Sequence, residues 1–209
     1  MTGEPATDTG VAPDTGLHQR STAEHISRWR LRSTEQSDLP ALEHYFNTLN
    51  PETRELRLHA TVKAVPATLL DLYRPQQRPD SNHVRHAVLI ETFVETGVVA
   101  GVAAGVAAGV AAKERKTPTI VGEAVLAGER DLQCAEFGIS INDHCRRRQL
   151  GTHLLNAISL YAQQLGLDYL YADAFRSNQG FTRFALQHGF ALRRHPHDWS
   201  LVRLTRSLQ

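Results

Sequence analysis

Residues 135–155 read AEFGISINDHCRRRQLGTHLL. Phe137, Ile139 and Ile141 alternate with Glu136, Gly138 and Ser140, the period of a strand. Positions 142–149 form a polar loop with three consecutive arginines, Arg146, Arg147 and Arg148. From about Leu150 the period changes, and Leu154, Leu155, Ile158, Ala162 and Leu165 share one face of a helix. A strand that feeds a basic loop into a helix start makes an anion site. The first helical turn has unpaired N–H groups and the positive end of the helix dipole. Gly151 leaves room for phosphates to approach that backbone, and the arginines add charge-assisted hydrogen bonds.

Outward from this stretch, alternation at 119–126 and 133–141, joined by a turn at 128–131, predicts an antiparallel hairpin. Downstream, Gly166 ends the helix. Residues 169–175 form a strand, 178–188 a helix stopped by Gly189, and 190–192 and 201–205 two more strands. Upstream, Trp29, Leu31 and Ser33 alternate with Arg30 and Arg32 as a first strand. Ser37 or Asp38 caps a helix with Pro40 in its first turn. Helical pieces at 51–59, with Leu56 facing inward, and 67–73 follow, then a loop at 74–83 and a strand at 86–94.

Two stretches lack this patterning. Residues 1–26 are rich in Thr, Pro, Gly, Ala and Asp and are expected to be a disordered tail. Residues 97–112, GVVAGVAAGVAAGVAA, repeat Val-Ala-Ala-Gly at period four. They are too short and too weakly apolar to span a membrane, which takes about 20 strongly apolar residues. A glycine at every fourth position costs about 1 kcal/mol each in a helix, so the segment reads as an insertion in a loop between strands.

Composition narrows the class. With 41% hydrophobic and 22% charged residues in 209, the chain is of the globular type and long enough for one α/β domain plus a tail. Lys and Arg total 23 against 22 Asp and Glu, so charge does not point to nucleic acid. Two cysteines, Cys134 and Cys145, are read as free thiols in a reducing compartment. No His/Cys spacing suggests a metal, and no export signal is read at the N-terminus. A cytoplasmic monomer or homodimer is expected.

The hexapeptide from Arg146 to Gly151 resembles motif A of the GNAT acetyltransferases: Arg or Gln, two residues, Gly, one residue, then Gly or Ala. Arg146 fits the first position and Gly151 the last, with Gln149 where the first glycine is expected. Asn178 and Gly189-Phe190 match the family's ending in residue and spacing. Leu49, Pro51, Glu52, Thr53, Arg54 and Arg57 are similar to the Leu-Ser-Pro-Glu-Ser-Arg-x-x-Arg stretch of the bacterial Pat-type protein lysine acetyltransferases. Asn50 stands in place of Ser, and Leu58-His59 in place of an aromatic pair.

The resemblance implies one domain over 27–207 with the GNAT fold. That fold is α/β of the α+β kind, a mixed, mostly antiparallel sheet of six to seven strands flanked by helices. It implies acetyl transfer from acetyl-CoA to a primary amine, with a protein lysine favoured. A small amine acceptor or a non-catalytic CoA-sensing module are the alternatives. Phosphate contacts fall to Arg146, Arg147, Arg148, Gln149, Leu150, Gly151 and Thr152. The N–H groups near Ile139, Ser140 and Ile141 polarise the thioester. Asn178 touches pantetheine or caps its helix. A positive φ at Gln149 would be strained and would weaken CoA binding.

Glu136, ten residues before Arg146, is the expected base. Apolar strand neighbours would desolvate its carboxylate and raise its pKa. The competing reading is a solvated or arginine-paired carboxylate. Glu123, on the neighbouring strand, is the reserve base, expected to line the same cleft and share a proton with Glu136. Many relatives carry a general-acid tyrosine where this chain has Ala185. Cys145 beside the arginines is a candidate low-pKa thiol, and His144, His153, His195 and His197 are candidates for surface roles first.

Overall fold

The computed structural model describes residues 29–76, 82–92 and 118–209. The tail at 1–26, the repeat at 97–112 and the last residues of the strand expected at 86–94 lie outside these.

Among the described residues seven strands form one sheet: β1 (Trp29–Ser33), β2 (His83–Thr92), β3 (Thr119–Glu129), β4 (Cys134–Ile141), β5 (Tyr169–Phe175), β6 (Ala191–Arg194) and β7 (Leu201–Ser207). The order is β1-β2-β3-β4-β5-β7-β6. Every neighbouring pair is antiparallel except β4 with β5. The helices are α1 (Leu39–Thr48), α2 (Pro51–Leu58), α3 (Ala67–Leu70), α4 (Leu150–Gln164) and α5 (Gln179–Gln187).

Period-two alternation sends the sheet's side chains into two cores. On one face Val88, Ile90, Ala124, Leu126 and Phe137 pack against Leu150, Leu154, Leu155 and Ile158 of α4. On the other, Leu89 and Val125 pack against Leu42, Tyr45, Phe46 and Leu49 of the α1 segment and against Tyr73. Local chemistry sets the helix ends. The Asn50 side chain accepts from the Glu52 N–H with Pro51 next to it, starting α2. Asn178 does the same for Phe181 at α5.

Several boundaries differ from the sequence reading, β2 beginning at His83 rather than at 86, and two of the differences have a clear physical cause. Gly128 is strand rather than turn, paired with Ala135. A Cβ there would fall 2.6 Å from the Cys134 carbonyl oxygen, so glycine is dictated by strand packing. The helix expected over 67–73 is split into α3 and a 3-10 turn, Asp71–Tyr73, which delivers the fully buried Tyr73 to the sheet.

The parallel pair is short. Only Cys134, Ala135 and Glu136 of β4 are matched, to Tyr169, Leu170 and Tyr171 of β5. Both strands then run on separately, to Ile141 and Phe175. Beyond Glu136, β4 has no strand partner on that side among the described residues, and the gap it leaves opens the main cleft.

Candidate active site

A cleft of about 790 Å³ runs through this gap. One end is walled by 145–147, 149–152, Asn178, Phe181 and Phe184. The other is walled by α2, the stretch that follows it, and the sheet face bearing Glu136 and Asp173.

At the first end the loop before α4 takes positive φ at Arg147 and Gln149, both 61°. A left-handed residue other than glycine costs roughly 1–2 kcal/mol, so the strain attached to a positive φ at Gln149 is present. The N–H groups of Leu150, Gly151 and Thr152 precede the first i→i−4 bond, from His153 to Gln149. No side chain among the described residues caps them. A Cβ on Gly151 would meet only Phe184, at 3.4 Å, an ordinary contact. The protein itself therefore does not require glycine there.

The arginines divide. Arg146 lines the cleft, but its guanidinium is held by Asp143 (2.8 Å) and Thr53 (2.7 Å). Arg147 is exposed along the cleft, and Arg148 is not among its lining residues. Thr152 lines the cleft as well. Its hydroxyl donates to His188 Nε2 at 3.0 Å, because His188 Nδ1–H is committed to the Phe184 carbonyl at 2.8 Å. Asn178 lines the cleft and also caps α5.

At the second end Glu136, Tyr171 and Asp173 share one sheet face. Glu136 reaches solvent, yet the cleft walls crowd it. Burial, then the charge of Asp173, push its carboxyl above the usual range, against the pull of Arg57, Arg203 and His195. Asp173 accepts two bonds from Arg203, 2.8 and 2.7 Å, and His195 Nε2 lies 3.2 Å from its Oδ2. His195 Nδ1 accepts from the Asp198 N–H at 2.8 Å, which leaves the proton on Nε2. His195 is thus half-buried, its side chain only 10% exposed, rather than the surface histidine expected.

Glu123 is fully buried. Its Oε1 accepts from Arg57 Nε at 2.9 Å and from the Ser140 hydroxyl at 2.5 Å. Oε2 accepts from Arg57 Nη2 at 3.3 Å and from the Tyr73 hydroxyl. Since Ser140 donates to Glu123, Tyr45 donates to Ser140, at 3.0 Å. Burial first, with the Glu123 charge adding to it, pushes both phenols well above their ordinary range, so they stay protonated donors. Burial pulls the Arg57 guanidinium down, but Glu123 holds it above the arginine norm.

The expectation that Glu123 and Glu136 share a proton is corrected. Glu123 stands opposite Ser140, and Glu136 opposite Ala127. Four strand positions, about 13 Å, separate them along the sheet. The side chain of Ser140 also turns away from the β4 edge, into the Glu123 network.

Sequence reasoning missed Tyr45, Tyr73, Asp173, His195 and Arg203. One signal was available for Asp173, a charge inside the alternating run YADAF. The others come from distant elements and depend on the fold to meet.

The model of the acetyltransferase (GNAT) family matches residues 52–190. The chain belongs to the GNAT acetyltransferase family. It is therefore an acetyltransferase, and solved GNAT structures share its fold. The GNAT domain of S. lividans PAT superposes with a TM-score of 0.65 at 14% identity, over 86% of this chain and 90% of that one. An acetyltransferase of the GNAT family from Streptococcus pneumoniae gives 0.59 at 14%, over 87% and 100%. Spermidine N-acetyltransferase from Vibrio cholerae, in complex with CoA and spermine, gives 0.58 at 17%, over 87% and 96%. No curated protein matches the chain significantly in sequence. Among the described residues no cluster of three or more His, Cys, Asp or Glu could hold a metal ion. No helix among them is long and apolar enough to cross a membrane. Cys134 and Cys145 form no disulfide with each other, and Cys145 is buried.

Proposed function

We propose that this GNAT protein transfers the acetyl group of acetyl-CoA to the side-chain amine of a protein lysine, with Glu136 as base. The observation that carries the reading is the uncapped start of α4, with Gly151 facing the same cleft that holds Glu136. The first end suits a pyrophosphate, which Leu150, Gly151 and Thr152 would bind through main-chain N–H groups, with Arg147 adding charge. Asn178 borders the pantetheine path. The free edge of β4, near Ile139 to Ile141, offers N–H groups to the thioester oxygen.

The amine arrives as an ammonium through the other end. Glu136 takes its proton and frees the lone pair, which forms the N–C bond. The C–S bond breaks, the sulfur leaves with the electron pair, and one of the two protons left on nitrogen passes to it or to water while the other stays in the amide. Glu123 is assigned the fixing of Arg57 rather than proton transfer, since both its oxygens are already bonded.

Two features support lysine. One is the likeness of Leu49–Arg57 to the Pat-type stretch. The other is the apolar wall of Leu56, Leu58, Val62, Pro66 and Leu69 on the way to Glu136, suited to a hydrocarbon tether. Residues 27–207 form the acetyltransferase domain on this reading. The test is mass-balanced turnover of acetyl-CoA against lysine-bearing proteins, spermidine and simple monoamines. Acetyl-lysine in the protein is the expected product. Turnover confined to spermidine or monoamines would replace lysine with a small amine. CoA binding without any acetylation would overturn the reading.

A further inference from the structure

Resting on the acyl-transfer reading above, we infer that Arg57 is a catalytic residue, whose Nη1 donates to the thioester carbonyl oxygen as charge collects there. Three observations meet on this side chain. Its Nε and Nη2 are spent on Glu123 and Tyr73, and none of these bonds uses Nη1. The side chain is 11% exposed beside a Glu123 that is fully buried, and it lines the cleft, so the exposure is toward the cleft.

Its place along β4 is the third. A Cβ on Gly138 would fall 2.5 Å from both Arg57 Cζ and Nη1, so the cation sits against Gly138. That glycine is two residues past Glu136, where the pairing of β4 with β5 stops. A carbonyl carbon attacked by an amine that Glu136 has deprotonated must lie at this gap. A cation there, held by a buried carboxylate and a phenol, needs no reorganisation when the oxyanion forms. Tyr45 and Ser140 brace the other side of Glu123 and act as positioning residues. The same placement lets Arg57 oppose the upward push on the Glu136 carboxyl.

Removing Arg57 alone would strand a buried charge. The informative protein is the charge-balanced pair Arg57→Gln with Glu123→Gln. It should melt as a folded protein and bind CoA with wild-type Kd, yet lose about 10²–10³-fold in kcat. Isotope-edited infrared spectra of bound acetyl-CoA, labelled at the carbonyl carbon, should show the wild-type C=O stretch shifted down and the pair variant's stretch returned toward its value in water. A merely structural arginine would not move that band. A folded pair variant with wild-type kcat and an unmoved carbonyl band would overturn the inference while leaving acyl transfer intact. A wild-type protein that binds CoA but acetylates nothing would remove both.

Discussion

The face of the Arg57 guanidinium covers the Cα of Gly138. An ideal Cβ on that glycine would be 2.5, 2.5 and 2.6 Å from Cζ, Nη1 and Nη2, and near-equal distances to three coplanar atoms mean a face-on approach. Arg57 comes from α2 and Gly138 from β4. One glycine hydrogen therefore sets how closely the helix docks on the sheet and where the cation sits in the cleft.

Gly138→Ala should displace Arg57 and loosen its bonds to Glu123, with a loss of about 1–3 kcal/mol from overpacking and reduced kcat. Gly151→Ala is the internal control, since its Cβ meets Phe184 at an ordinary 3.4 Å. Urea denaturation of the two variants is the check. Equal midpoints would show that Arg57 moves aside freely.

Glu136→Gln should cut kcat by about 10²–10⁴-fold, the usual range for a positioned base, with CoA affinity unchanged. Its stability effect has the opposite sign. The folded-state pKa of Glu136 is raised by burial and Asp173, so its contribution to stability is full below the ordinary glutamate range and is lost as pH rises through the raised value. The variant should melt above wild type at neutral pH, with the gap closing in acid. Wild-type activity should fall as pH drops through the same raised value. A variant that melts below wild type at pH 7 would contradict the crowding of this carboxylate.

The loop before α4 yields a pair of substitutions with opposite outcomes. Gly151→Glu places a carboxylate at the uncapped helix start and should abolish CoA binding while the fold survives. Gln149→Gly relieves a φ of 61° and should stabilise the protein by about 1 kcal/mol with CoA binding equal or tighter. Isothermal titration with CoA and thermal melting read both. Unchanged affinity in Gly151→Glu would move the phosphate site elsewhere.

Most of the fold was legible because its signals are local. The alternation in β4, the period of α4 and the caps at Asn50 and Asn178 each lie within a few residues. The strand, loop and helix from β4 to α4 were legible for the same reason, down to the question of φ at Gln149. The network around Glu123 was not. Tyr45, Arg57, Tyr73 and Ser140 come from four separate elements, and no periodicity links them. His195 was misplaced because its burial depends on Asp173, 22 positions earlier and across the sheet from its own loop. Gly128 misled for a physical reason. A glycine needed for close strand packing looks, in sequence, like one needed for a turn.

The three-residue pairing between β4 and β5 has a mechanical meaning. It is the weakest seam in an otherwise continuous hydrogen-bonded layer, with β1 to β4 on one flank and β5, β7 and β6 on the other. A ligand lying in the gap touches both flanks and acts as mortar between them. Occupancy of the cleft should then slow amide exchange in β5 and β7 as well as in the loop before α4, so that substrate binding is felt as stiffness across the whole sheet.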